Sequence, residues 1–270
     1  MKKKAQIFTI MTIILISLVF ISFEVFSIVN QRHEINTRIS TMENFLFSIE
    51  KNLERQIYIS GFRIVFLAEN EITNKGAYIN NISYFTNEAF FNGTINGQSQ
   101  EILLGVTYTD LINSVNEKAN KINVNVNFND PNIIIDQIDP WNIRVTLITN
   151  FSMIDQSNLA RWDKQQKITA LIPIMGFDDP VYILNTNGLV PNKINKTYYE
   201  FSQGNVSNLL NHVEKGLYIS STEAPSFLNR LEGNFNANED GIESLVYIPK
   251  LTFQGIKAKD KSVVDHIYFS

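Results

Sequence analysis

"KKKAQIFTIMTIILISLVFISFEVF", residues Lys2 to Phe26, decides how the whole chain is organised. Three lysines precede an apolar run. From Ala5 to Phe23 no side chain is charged, close to the ~20 residues that carry a helix across a bilayer. Glu24 interrupts the run, and Val25, Phe26, Ile28 and Val29 extend it. A removable secretion signal has a core of only ~7–15 apolar residues followed by a small-x-small cleavage site. This run is longer, and no such site follows it. It predicts a membrane helix with Lys2, Lys3 and Lys4 held on the cytoplasmic side and the remaining chain outside.

Beyond the apolar run the pattern becomes amphipathic. Ile35, Ile39, Met42, Leu46, Ile49, Leu53 and Ile57 step by three or four residues, an apolar stripe along one helix face. No proline or glycine occurs before Gly61. The membrane helix should therefore continue outward as a rod of roughly fifty residues or more, at ~1.5 Å each. Its stripe could pack on the chain's own domain or form a coiled-coil seam between copies. A second helical stretch is expected from Gly61 to Ile72, with Phe62, Val65, Phe66 and Ala68 inward, ended by Asn74-Lys75-Gly76.

Bulk composition closes several routes. The chain has 270 residues, 44% hydrophobic and 19% charged, so it can bury a core. Its net charge of −4 leaves no basic footprint for nucleic acid. With no cysteine, disulfide scaffolds, thiolate zinc sites and cysteine nucleophiles are excluded.

An Asn-rich, aromatic-punctuated segment runs through Phe90–Gln98, where two Asn-Gly pairs mark turns. Thr109 then opens a helix whose Leu111, Val115 and Ala119 share a face. Strict alternation follows. Ile122, Val124, Val126 and Phe128 alternate with asparagines; Trp141, Ile143, Val145, Leu147, Phe151 and Met153 form a second set; Ile168, Ala170, Ile172 and Ile174 form a third. Period two with one wet face is the mark of antiparallel strands. Asn129-Asp-Pro-Asn132 and the Asp155–Asp163 region should connect them. Later come a helix ending at Gly216, a helix capped by Ser221 and stopped by Gly233, and two late strands, Ile242–Ile248 and Val263–Phe269. The expected fold is α+β. An N-terminal transmembrane helix extends into a long amphipathic helix that packs on an antiparallel β-sheet ectodomain. Its layout is a leader at 1–5, a membrane helix at 6–29, a helical stalk at 30–73 and one ectodomain at 74–270.

A short lysine-rich leader, a small residue, then Gln and an apolar helix resembles the class III signal sequences of archaeal type IV pilin-like proteins. The matching positions are Lys4, Ala5 and Gln6. The resemblance implies that a prepilin peptidase cuts between Ala5 and Gln6, and that the fold is pilin-like. Ile10 stands where that family usually has an acid; Glu24 is the one acid of the segment. The stretches Tyr58–Arg63, Phe90–Gln98, Asp139–Val145 and Gly176–Gly188 are similar to membrane-anchored archaeal surface proteins, which carry no agreed chemistry over to single residues.

Candidate chemistry is sparse. Five sequons, at Asn81, Asn92, Asn150, Asn195 and Asn205, could carry N-glycans outside a cell, or arise by chance in a chain so rich in asparagine. Asn236, Asn238 and Asp240 imitate the first half of an EF-hand loop, but Tyr247 holds the position of the bidentate glutamate. They are weak metal candidates beside the reading as a solvated turn. Asp178-Asp179-Pro180 reads as a turn rather than a catalytic pair. His33, His212 and His266 are isolated, and no hydrolase, phosphate-binding or zinc motif occurs. Trp141 and Trp162 read as core or sheet-edge anchors. Residues and resemblance together point to a non-catalytic surface protein without cofactor, a pilin-like subunit or an anchored envelope protein, whose partners are the membrane and, as the resemblance implies, further copies or other pilin-like subunits. The alternative is an anchored ligand-binding, sensor or adhesin module.

Overall fold

A computed structural model describes the backbone of residues 2–201 and 206–270 and, in the first helix, the side chains of Ile7, Phe8 and every residue from Ile10 on. Helix α1 (Lys2–Lys75) is unbroken over 74 residues, a rod of about 110 Å. Its buried stripe comprises Met42, Ile49, Leu53, Ile57, Ile64, Val65, Leu67, Ala68 and Ile72. Ile35 and Ile39 lie below the packed region and stay partly exposed.

The expected second helix at Gly61 is the upper part of the same rod. At Gly61 the helix lies tight against the sheet. A Cβ there would lie 2.5 Å from Ile172 Cδ1 and 2.9 Å from Val145 Cγ2. Glycine thus serves close approach and does not break the helix. Rotation about the rod puts Ile64 and Leu67 inward beside Val65 and Ala68, leaving Phe62 and Phe66 at 42% and 41% exposure.

The sheet that α1 covers has the order β3-β4-β5, all antiparallel. Its strands are β3 (Val124–Asp139), β4 (Asn142–Asp155) and β5 (Arg161–Pro173), numbered after the small hairpin β1 (Thr94–Ile95) and β2 (Gln98–Ser99). The alternating sets are buried as expected, with Val124, Val126, Ile143, Val145, Leu147, Phe151, Met153, Ile168 and Ile172 on the covered face. Asn129-Asp-Pro-Asn132 is a bulge inside β3 and not a connection. Pairing jumps from Asn129↔Asn150 to Asn132↔Ile148, Asp130 has φ 51°, and the strand resumes. Pro131 falls on an edge strand, where its missing N–H breaks no ladder. The hairpin turn is Pro140-Trp141.

Helices α2 (Ile82–Asn92) and α3 (Tyr108–Asn120) extend the helical layer over β3. The Asn-rich composition of this segment hides α2. Asn81 caps it by accepting the Tyr84 N–H at 2.7 Å, and Gly93 at φ 66° ends it. Helix α3 is capped by Thr107, not Thr109, through a capping box with Asp110.

A second, smaller core collects Val181, Tyr182, Val190, Val246, Leu251, Tyr268 and Phe269. Its residues come from α4 (Pro180–Asn185), α7 (Ile248–Phe253), α8 (Asp265–Phe269) and the loops between them. The neighbouring β6 (Tyr218–Ser220), α6 (Phe227–Leu231) and β7 (Ile242–Ser244) give Tyr218, Phe227, Leu228, Leu231 and Ile242 to the main core, and α5 (Val206–Glu214) lies outside both. Ser226, one residue after Pro225, caps α6 in place of Ser221. The expected last strand is helix α8. Asp265, Tyr268 and Phe269 are buried while Ile267 is exposed, which is helical spacing. The Asp265 carboxylate accepts its neighbour His266 N–H at 2.6 Å and turns the chain there.

Filling the Gly61 contact should loosen the rod from the sheet. Gly61→Val is expected to destabilise the folded chain by ~1–3 kcal/mol. Gly61→Ala should cost less, because its helix propensity returns up to ~1 kcal/mol. Thermal unfolding in detergent, followed by circular dichroism, measures both.

Candidate functional site

The lower third of α1 buries no described side chain. Large apolar residues from Ile7 to Val29 are 48–74% exposed, all round the helix. Of the described helices, only α1 is long and apolar enough to cross a membrane. Its backbone bonds are internal, as a hydrocarbon environment requires. Two of its hydroxyls also turn inward: Thr12 Oγ1 donates to Phe8 O and Ser22 Oγ to Leu18 O, each at 2.9 Å. Glu24 is exposed on this surface and, among the described residues, has no ion-pair or hydrogen-bond partner.

Above it runs an exposed polar stretch, and then Arg38 clamps rod to sheet. Arg38 Nε lies 2.5 Å from Asp155 Oδ1, and a terminal nitrogen donates to the carbonyls of Ile122 and Asn123 at 2.7 and 3.0 Å. Asp155 is fully buried, and Arg38 compensates the loss of its water.

The densest polar cluster lies where the smaller core meets the main one. Arg230 is wholly buried and donates to Asp179 Oδ2 at 2.6 Å, to Asp265 at 3.1 and 3.2 Å, and to Ile242 O. Tyr218 O–H donates to Asp179 at 2.7 Å, and Ser244 O–H to Asp265 at 2.8 Å. Tyr182 O–H in turn approaches Ser244 Oγ at 2.9 Å. Asp179 also caps α4, accepting the Val181 N–H at 2.9 Å. Burial works against the Arg230 charge, but Asp179 and Asp265 outweigh it and lift its pKa above the usual arginine range. Burial pushes Asp265 up, yet Arg230 and the His266 and Ser244 donors hold it below the usual carboxylate range. With both carboxylates fully buried and each accepting several donors, the cluster is a structural clamp joining α4, α6, β7 and α8. It is not a cleft where carboxylates meet a substrate. Nothing local in the sequence ties residues 179, 230 and 265 together. The one signal was Asp179-Pro180, a helix cap followed by an N1 proline.

Beside the clamp, Glu69 of α1 is 7% exposed, and its Oε1 has no hydrogen-bond partner; Asp178 Oδ1 is likewise buried and unpartnered. Burial, with the charge of Asp178 next, pushes the Glu69 carboxyl up to about 9, while Lys193 opposes the shift. Glu69 therefore holds a proton at neutral pH.

The sequons fall on the surface and apart from one another. Asn81 caps α2 and Asn92 ends it rather than lying in a turn; Asn150 and Asn195 are exposed, their Nδ2 atoms donating to Asp130 and to Lys193 O. Asn205 lies outside the described residues, as do the side chains of Ala5 and Gln6. Asn236 is exposed, and Asn238 Oδ1 accepts the Asp240 N–H at 2.9 Å, an ordinary Asx turn. Among the described residues no cluster of three acidic, histidine or cysteine side chains could hold a metal. His33 is exposed, and His212 is buried against Thr197 at 3.1 Å, which lowers its pKa. Trp141 and Trp162 are half-buried at the sheet, Trp141 under Lys196. Comparison with known protein families, characterised proteins and solved structures finds no match to this chain.

Arg230→Met strands two buried carboxylates and should cost ~3–5 kcal/mol. Adding Asp179→Asn and Asp265→Asn should recover much of that loss in denaturant unfolding. Glu69 gives a pH signature. The folded state keeps its proton between about pH 4.5 and 9 while the unfolded state loses it, so stability falls as pH rises through that window. Glu69→Gln removes this slope and should be more stable than the parent at pH 8 by at least ~1 kcal/mol, with the gap closing toward pH 5.

Proposed function

We propose that the chain is a single-pass surface protein of an archaeal cell: a type IV pilin-like subunit or an anchored envelope protein of that shape, working by packing and display and not by catalysis. The observation that carries this is the exposed apolar surface of α1 from Ile7 to Val29, continuous with a stalk whose next stretch buries one face on a sheet. One helix thus serves two solvents. Lys2 to Lys4 favour a cytoplasmic N-terminus, which places the sheet and the smaller core outside. Ala5-Gln6 is the expected processing point, and copies would meet through the apolar helix, with Glu24 the residue that needs a polar neighbour there. Outside, the exposed Asn81, Asn92, Asn150 and Asn195 are available to glycan transfer.

An anchored ligand-binding, sensor or adhesin module is the second reading. A groove at the end of α1 opposite the apolar segment favours it.

The mature N-terminus and its fraction distinguish these readings. After expression in an archaeal host, mass spectrometry of the terminal peptide should show a chain starting at Gln6 in sheared surface material for a filament subunit. An intact terminus found only in membranes would reject filaments and keep the anchor. Recovery of intact chain in the soluble fraction would reject the anchor itself.

A further inference from the structure

The far end of α1 opens into a groove of about 360 Å³, within the range of small-ligand sites. It lies about 70 Å beyond Val29 along the helix. Two tyrosines line it. Tyr78 is fixed from behind: its hydroxyl meets Asn185 Nδ2 at 3.3 Å, its ring meets Phe235 edge-on at 6.3 Å, and a Cβ on Gly233 would sit 2.5 Å from that ring. Tyr84 is 68% exposed. Asn80, Asn81 and Asn96 add amides to the wall. Three charged groups line it, Glu71, Lys75 and Glu88. Glu71 pairs with Lys75 at 2.6 Å, and Glu88 accepts the Gly97 N–H at 2.8 Å and the Thr94 O–H at 3.0 Å.

We propose that this groove binds a neutral oligosaccharide. Aromatic rings offer flat apolar surface to the C–H face of a sugar ring. Amides offer both donor and acceptor to its hydroxyls. Lys75 faces Glu71, and Glu88 accepts only neutral donors, so the described wall carries a net negative charge that disfavours acidic sugars and leaves neutral ones. This stands on the chemistry of the groove and not on how the apolar helix is used. The saccharide has two sources: a free glycan, or one carried on Asn81, whose sequon forms part of the wall.

The test is saturation-transfer NMR on the full chain in lipid nanodiscs, made in a host without N-glycosylation, with maltotriose, cellotriose and chitotriose. Transfer to at least one is expected. Tyr84→Ala should weaken it about tenfold with an unchanged melting temperature, since Tyr84 is exposed. Silence from all three sugars, or parental binding by Tyr84→Ala, overturns the proposal. A second arm uses chain from a glycosylating host. A glycan on Asn81 that Ser83→Ala removes, and that blocks the trisaccharide, assigns the groove to the chain's own sugar. An unmodified Asn81 with trisaccharide binding assigns it to a free glycan. A modified Asn81 with undiminished binding places the sugar elsewhere and overturns the site.

Discussion

One stripe of α1, from Met42 to Ile72, is the contact on which the ectodomain is assembled. It lies across β5 and β4 and touches α2, α3, α4 and α6. The rest of the protein is arranged around this shared surface. The sheet has one buried face because the rod covers it. The helices α2 and α3 continue the layer where the rod runs past β3. The smaller core docks at the upper end of the same rod. Burial of each large apolar side chain on the stripe contributes about 1.5–3 kcal/mol, and Arg38 and Asp155 fix where along the rod this contact begins.

The same helix also carries an uncovered apolar third. The described side chains of Ile7–Val29 pack on no other described part of the chain, yet two of their hydroxyls are satisfied within the helix. Lipid accepts such a surface and water does not. The polar span between Val29 and Arg38 separates the two environments. The length able to span a bilayer and the length that carries the fold are therefore different parts of one element, and a change in either need not disturb the other.

The periodic parts of this architecture were legible in the residues. A nineteen-residue uncharged run from Ala5 to Phe23 and three alternating strands each repeat a physical condition many times, so they survive local noise. What stayed hidden is set by single contacts. Gly61 looks like a helix break until Val145 and Ile172 are seen against it. Asp130 and Pro131 look like a turn until the strand resumes at Asn132. Helix α2 is masked by its asparagines, although Ile82, Phe85, Ala89 and Phe90 share a buried face. Helix α8 is short enough for its alternation to imitate a strand. The Arg230 clamp joins residues 51 and 35 positions apart, and the distal groove gathers residues from three segments; neither leaves a local pattern.

The unbroken backbone of α1 makes the molecule a lever. No glycine or proline interrupts it between Val29 and Gly61, and Gly61 itself is wedged against the sheet. Bilayer-spanning helices commonly tilt by about 20°. With about 70 Å of helix above the apolar segment, such a tilt would swing the distal end sideways by roughly 25 Å. In a bilayer, membrane thickness would then bear on how far the tip stands from the surface.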